Sequence, residues 1–384
     1  MVSLAVLGAG PTGLEAALAA IERGWAVTVY EQAPHVAGYV REWGHVRLFT
    51  PWSMDVSPRA AAAVGVPAGQ ACPTGHELAE HLERVAGLLP DVRLSTRVLS
   101  VAREGLLKTE EIGSAERAAR AFRLLVEGPD GEERVEQADV VLDCTGTYGH
   151  PNPTGHGGIP APGERRVAAR VVRSIPRVDA SWAGRRVLLV GAGNSAQTAA
   201  RDLAAAGAEV VWAVRRERPT WGAVEGDPLP DRVELVASSR RLAAGATPGV
   251  RLVSGVVVDA LREQGPDVVA VLRGSDGTQE VAVDVVVSLT GAVGDAGLYR
   301  QLQVHECYAT EGPIALAATL LGAAGGDCLA QTSAGVDVLR NPEPRFFVLG
   351  SKSYGRNNSF LLRVGWEQVA EVFEALDAEL AVLV

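Results

Sequence analysis

The chain has 384 residues, 47% of them hydrophobic and 21% charged, which is ordinary for a globular protein and long enough for two domains with separate cores. Its net charge of −10 and pI near 5.3 argue against nucleic acid or an anionic membrane as partner, since both need a basic surface. Four scattered cysteines (Cys72, Cys144, Cys307 and Cys328) form no C-x-x-C pair and the histidine spacing offers no metal site, so neither a disulfide framework nor a structural metal is expected.

The first strand, expected at 2–7 and read as having no signal segment ahead of it, runs into Gly8-Ala9-Gly10-Pro11-Thr12-Gly13. A helix-forming stretch follows at 14–23, and a second strand at 26–30 ends at Glu31. In this βαβ order the first two glycines let the backbone turn tightly and approach a pyrophosphate, which sits at a helix N-terminus with free N–H groups and the positive end of the dipole. Glu31 is placed to accept hydrogen bonds from ribose hydroxyls. Gly8, Gly10, Pro11, Thr12, Gly13 and Glu31 are therefore candidate cofactor-binding residues.

From Glu31 to about 59 the pattern is irregular and reads as a long functional loop. Trp43 and Trp52 supply apolar area and Arg47 a clamp for carboxylate or phosphate, so the three are candidates to line a substrate entry; the alternative is that the tryptophans pack the loop onto its domain. His45 and His150 are acid–base candidates whose alternative is a structural or solvated role. Thr74-x-x-Glu77 predicts a capping box opening a helix that runs to about 89. Strands are expected at 98–103, 122–126 and 138–144, the last ending in Thr145-Gly146. Cys144, next to that pair, has two readings: a thiol near the cofactor, or a small buried strand residue.

Gly- and Pro-rich sequence at 147–163 predicts an inter-domain connection. A second βαβ unit then follows: strand 187–190, loop Gly191-Ala192-Gly193-Asn194-Ser195-Ala196, helix 197–206, strand 210–214. Ala196 replaces the third glycine, where a small residue suffices for helix–strand packing. The position matching Glu31 is Val214, followed by Arg215 and Arg216. A carboxylate there would repel a 2′-phosphate and an arginine pair would hold one, so the first site reads as FAD and the second as NADPH. Strands at 255–260, 268–272 and 281–289 complete the second domain, ending at Thr290-Gly291 in an echo of Thr145-Gly146. Residues 292–340 are poorer in pattern, with a helix beginning near Pro313. A strand at 345–350, a polar loop at 351–359 and an amphipathic helix at 360–380 are expected to return to the first domain. The fold class is α/β: two Rossmann-like three-layer dinucleotide-binding domains, the second inserted in the first, divided at 1–165, 166–340 and 341–384.

This ordered set resembles the two-dinucleotide-domain flavoproteins, which include thioredoxin-reductase-like enzymes and the flavin-containing and N-hydroxylating monooxygenases. The Gly-Ala-Gly-Asn-Ser-Ala stretch with Arg215 downstream is most similar to the NADPH site of the monooxygenases. Two departures are visible. The Phe-x-Gly-x-x-x-His run that precedes the second loop in monooxygenases is replaced by Val171-Val172-Arg173-Ser174-Ile175-Pro176, and the Gly-Asp that usually ends the C-terminal strand is replaced by Gly350-Ser351-Lys352.

The resemblance implies an NADPH-dependent FAD oxidoreductase in which Thr145, Gly146, Gly350 and Ser351 contact flavin. It places the loop before the final helix, with Arg356, Asn357 and Asn358, at the flavin ring as the catalytic candidates; an ordinary polar helix cap is the alternative there. The expected reaction is hydroxylation of a small polar substrate with oxygen. Reduction of a small molecule or external disulfide is the second reading, and a non-catalytic flavin-binding regulatory protein the third, against which the intact second loop argues. The expected partners are a small-molecule substrate and oxygen, with a homodimer left open, and the expected location is the cytoplasm because no uncharged apolar run reaches membrane-spanning length.

Overall fold

The computed structural model describes residues 1–68, 71–322 and 331–381; Cys328 lies outside them. Two compact units emerge, Met1–His150 with Val293–Val384, and Pro151–Ala292.

The first unit is built on a parallel sheet of five strands in the order Phe346–Val348, Val140–Asp143, Ser3–Leu7, Ala26–Tyr30, Val92–Arg93. Its two faces are sorted by the two-residue period of a strand. Leu4 and Val6 of the first strand, with Val140 and Leu142, face a core shared with the helices Pro11–Glu22, Gly75–Ala86 and Leu362–Ala381. Ala5, Leu7 and Val141 face a second core under the antiparallel strands Arg97–Arg103, Phe122–Glu127 and Glu133–Ala138. The predicted capping box is present: Glu77 N–H donates to Thr74 Oγ1 at 3.2 Å and Thr74 N–H to Glu77 Oε2 at 2.6 Å. The stretch 31–59 is less irregular than expected, since the short helices Gly38–Glu42 and Trp52–Asp55 and the start of Pro58–Val64 lie in it.

The second unit repeats the plan. Its parallel sheet runs Val250–Ser254, Glu209–Val214, Arg186–Val190, Val285–Ser288, Val171–Val172, with the helices Asn194–Ala205 and Pro230–Ala243 and the antiparallel strands Val257–Gln264, Asp267–Gly274 and Gly277–Val283. In both units the single strand expected from sequence is two, broken by an aspartate where the chain passes from one layer to the other. Asp139 accepts from the backbone and hydroxyl of Ser3 at 2.8 and 2.7 Å, and Asp284 accepts from the backbone N–H of Arg186 at 2.8 Å.

The contact boundaries fall at 151 and 292, where 166 and 340 were expected. Residues 151–165 are tied into the second unit by Glu164, a buried carboxylate that accepts from Thr154 N–H at 3.1 Å and Ala161 N–H at 2.7 Å and pairs with Arg173. Pro162 O accepts from Leu261 N–H at 2.9 Å. Residues beyond 292 belong to the first unit because Leu298, Tyr299 and Leu302 fill the core beside Phe346. A fully buried Glu343 binds both Arg103 and Arg117 at 2.6 Å and accepts from Gln303 N–H at 2.9 Å, locking that segment to the antiparallel strands.

Candidate dinucleotide sites

In the first unit the glycines divide by what surrounds them. A Cβ at Gly13 would stand 2.0 Å from Gly8 O, and one at Gly8 2.7 Å from Cys144 O, so these two allow close packing. Gly10 differs: nothing lies within 4 Å of where its Cβ would be. The helix starts at Pro11, three residues earlier than expected, with Gly10 as a cap that offers no side-chain acceptor. No side chain caps its first turn, and with Pro11 lacking an N–H the donors left for a phosphate there are those of Thr12 and Gly13.

Glu31 is 7% exposed, and its carboxylate accepts from Ala9 N–H at 3.0 Å and Ala33 N–H at 2.9 Å. Burial raises its pKa, while those two backbone donors oppose the rise. The same bonds fix the carboxylate against the glycine loop and leave further lone pairs for ribose hydroxyls.

Thr12 joins three elements. A Cβ at Gly350 would fall 2.8 Å from Thr12 Oγ1 and one at Gly365 2.7 Å from it, so the first turns of the first and final helices touch across two glycines. Gly350, at φ +70°, donates its N–H to Gln368 Oε1 at 2.9 Å. Gly146 faces Ser351, whose Oγ would lie 3.5 Å from a Cβ there. The structure thus brings together Thr12, Gly146, Gly350 and Ser351 from three separate segments.

Lys352, which the sequence offered only as a departure, has a definite place. Its ammonium is buried, 2.5 Å from Asp143 Oδ2, 3.1 Å from Thr145 Oγ1 and 2.9 Å from Asp295 O, and 5.0 Å from the centre of the Tyr299 ring. Asp143 in turn accepts from the Thr145 hydroxyl at 2.7 Å. The pair therefore holds the Thr145-Gly146 turn in position. Burial, with Asp143 beside it, pushes the Cys144 thiol far up, so Cys144 is an inert core residue.

The other candidates are placed less favourably for chemistry. Arg356 is exposed and pairs with Glu311 at 2.7 Å. Asn357 Oδ1 accepts from Ser359 N–H at 3.0 Å and its hydroxyl at 2.6 Å, shaping the turn ahead of the final helix, while Asn358 is exposed. Trp52 is buried against the His81 ring, 5.7 Å between centroids, so it packs its loop and does not line an entry. Trp43 stacks at 6.3 Å on the exposed Tyr148. Arg47 is exposed, but its guanidinium donates to Cys72 O.

In the second unit the loop is held by side chains the sequence reading passed over. Trp212 Nε1 donates to Gly191 O at 2.8 Å, and Gln197 Nε2 donates to Ala192 O at 3.2 Å. Gly191 has φ +126°, and a Cβ on it would stand 2.2 Å from Leu289 O and 3.4 Å from the Ala196 methyl, so a glycine and a small residue are both required here. Nothing lies within 4 Å of a Cβ on Gly193, which caps the helix Asn194–Ala205 without a side-chain acceptor. Asn194 is exposed and Ser195 half-buried in the first turn. Beyond the strand ending at Val214, Arg215, Arg216 and Arg218 are exposed, and none of the three is in an ion pair among the described residues. Arg218, which no spacing singled out, lies in the same exposed run as the first two.

No family model matches the chain, and no curated protein matches it. Solved structures do. A bacillithiol disulfide reductase from Bacillus cereus is 19% identical over 98% of this chain and 99% of that one, with a TM-score of 0.72. An ornithine N-hydroxylase from Kutzneria sp. 744, with reduced FAD, NADP⁺ and L-ornithine, is 13% identical over 99% of each chain, with a TM-score of 0.66. A flavin-containing monooxygenase from Stenotrophomonas maltophilia is 20% identical over all of both chains, with a TM-score of 0.62. These likenesses establish the fold, two Rossmann-like units of the kind found in flavoprotein reductases and monooxygenases. Among the described residues no helix is long and apolar enough to cross a membrane.

Proposed function

We propose that the chain is an FAD-dependent oxidoreductase that takes reducing equivalents from NADPH and hydroxylates a small polar substrate with oxygen. One observation carries the cofactor part of this reading, while the oxygen chemistry rests on the likeness of the second loop to that of the monooxygenases: two helix N-termini, capped by Gly10 and Gly193 with open space where a side chain would stand, are followed by opposite charges. Glu31, fixed by two backbone N–H groups, suits ribose hydroxyls; Arg215, Arg216 and Arg218, without ion pairs among the described residues, suit a 2′-phosphate.

The residues present fit both groups. Gly8, Gly10, Pro11, Thr12 and Gly13 would seat the FAD pyrophosphate, and Thr145, Gly146, Gly350 and Ser351 would flank the flavin. Gly191, Gly193, Asn194, Ser195 and Ala196 would seat the NADPH pyrophosphate. When bound, the flavin supplies the redox chemistry, accepting hydride and passing electrons on. The protein's part is to bind and to orient. The buried Lys352–Asp143 pair fixes Thr145, and the converging first turns at Thr12 and Gly365 aim two positive dipole ends toward one region. Asn358, exposed beside the turn that Asn357 shapes, is the amide we propose to test for contact with a substrate, and Trp43 and Arg47 remain candidate entry residues.

A second reading, reduction of a small molecule or external disulfide, is favoured by the segment Val171-Val172-Arg173-Ser174-Ile175-Pro176, which lacks the monooxygenase histidine. The test is a balance sheet on FAD-loaded protein: NADPH consumed, oxygen consumed, hydrogen peroxide released and hydroxylated product formed across a panel of small amines, thioethers and disulfides. Product in step with oxygen supports the proposal. NADPH oxidation that proceeds anaerobically with a disulfide or organic acceptor, and yields no oxygen-dependent product, establishes the reductase.

A further inference from the structure

We propose that Gln197 and Trp221 are positioning residues that set NADPH against NADH discrimination, by tying the arginine-bearing segment to the glycine loop of the second unit. This rests on the cofactor assignment above. Neither residue belongs to the glycine motif or to the arginine run.

Trp221 ends the segment that leaves the strand at Val214 and carries Arg215, Arg216 and Arg218. It is 5% exposed and packs on the fully buried Trp212, ring centroids 4.6 Å apart and planes tilted by 44°. It also sits at φ +59°, the left-handed region that a bulky side chain enters only when its surroundings hold it there. Besides that ring contact, one amide ties it to the glycine loop. Gln197 Nε2 donates to Trp221 O at 3.0 Å and to Ala192 O, within the glycine loop, at 3.2 Å. Gln197 is itself 1% exposed, and its Oε1 lies 2.9 Å from the Ser239 hydroxyl, whose single proton it shares with Leu235 O at 2.8 Å. Trp212 completes the frame by donating its indole N–H to Gly191 O at 2.8 Å.

The geometry has a direct consequence. The N–H groups that would take the pyrophosphate and the guanidinium groups that would take the 2′-phosphate lie on separate segments, and Gln197 is the side chain bonded to both. In NADPH the 2′-phosphate and the pyrophosphate hang from one ribose, which limits how far apart they can lie, so the 2′-phosphate is read well only if the arginines keep their distance from the loop. The Gln197 amide and the packing of Trp221 on Trp212 maintain that distance.

The experiment measures dissociation constants of NADP⁺ and NAD⁺ for the FAD-loaded protein and its variants, by tryptophan quenching, with thermal melting as a folding control. Gln197→Leu removes both donated bonds at similar size and should cut the NADP⁺/NAD⁺ preference by about tenfold, mainly through NADP⁺. A role confined to supporting the fold would weaken the two nucleotides alike and leave the ratio unchanged, which overturns the proposal. Ser239→Ala frees the Gln197 rotamer without touching the loop and should give a smaller loss in the same direction; it carries the test if Gln197→Leu does not fold. If the unaltered protein binds both nucleotides equally, the NADPH assignment itself falls. If it prefers NADP⁺ and both folded variants keep that preference in full, only the positioning role is refuted.

Discussion

Gly10 and Gly13 belong to one motif, yet the structure separates their duties so cleanly that a pair of substitutions tests the flavin site. Gly10 has φ −87° and ψ −176°, backbone that any residue adopts, and its Cβ would meet nothing within 4 Å. Gly10→Val should therefore fold, at a cost of no more than about 1 kcal/mol for the altered cap. Its side chain would stand in the space over the first-turn N–H groups of the helix Pro11–Glu22. If the FAD pyrophosphate loses two charge-assisted hydrogen bonds of about 1.5–3 kcal/mol each, affinity falls by roughly 10²- to 10⁴-fold. Gly13→Ala is the opposite case. Its methyl would lie 2.0 Å from Gly8 O, backbone that cannot swing aside, and should destabilise the fold by about 3 kcal/mol whether or not FAD is present. The assay is FAD titration by flavin fluorescence with a melting curve for each variant. Gly10→Val protein that melts normally and binds FAD within about tenfold of the parent would refute the placement of the pyrophosphate at this helix.

Four further outcomes are expected. Arg215→Ala should reduce the preference for NADPH over NADH by about tenfold, in line with one charge-assisted contact to the 2′-phosphate, and an unchanged ratio of binding constants would remove Arg215 from the site. Lys352→Met leaves Asp143 buried without its partner and should cost about 3–5 kcal/mol in denaturant unfolding, much of it recovered by adding Asp143→Asn; a single variant as stable as the parent would refute the pair's role. Burial pushes Asp55 from 3.8 up to about 7, so the native state holds a proton that the unfolded chain gives up. Stability from this group is full below about pH 4 and is lost as pH rises to about 7, by on the order of 4 kcal/mol at most, and Asp55→Asn should flatten that slope. Asn358→Ala should raise hydrogen peroxide released per NADPH while flavin reduction stays intact; Asn357→Ala is the poorer probe, because it also removes the acceptor that Ser359 uses.

What the sequence made legible was local and repetitive. Both glycine loops, both strand-to-Thr-Gly turns, the Thr74 capping box and the switch from Glu31 to Arg215 sit within a few residues of the feature they specify, so spacing alone exposes them. The missed elements depend on partners far away in the chain. The two-residue strands Val92–Arg93 and Val171–Val172 are too short to carry a period, and exist because a neighbouring strand offers a free edge. The strand breaks at Asp139 and Asp284 looked like continuous β sequence until Ser3 and Arg186 appeared beside them. The domain boundary at 151 rests on Glu164, which reads as an ordinary surface residue in sequence but is buried among backbone donors.

The same distinction applies to the site. The residues that would touch a phosphate were named from spacing, whereas those that aim them were not, because no motif encodes a contact between Gln197 and Trp221 or between Lys352 and Asp143. Lys352 is the instructive case. In the sequence it follows Gly350-Ser351 where the resembling flavoproteins have Gly-Asp, yet in the fold it is the buried cation that binds Asp143 and Thr145. The turn we propose to flank a flavin, where the Gly-Asp pattern would place an acidic side chain, is held here by an ion pair that bonds Thr145 from both of its members.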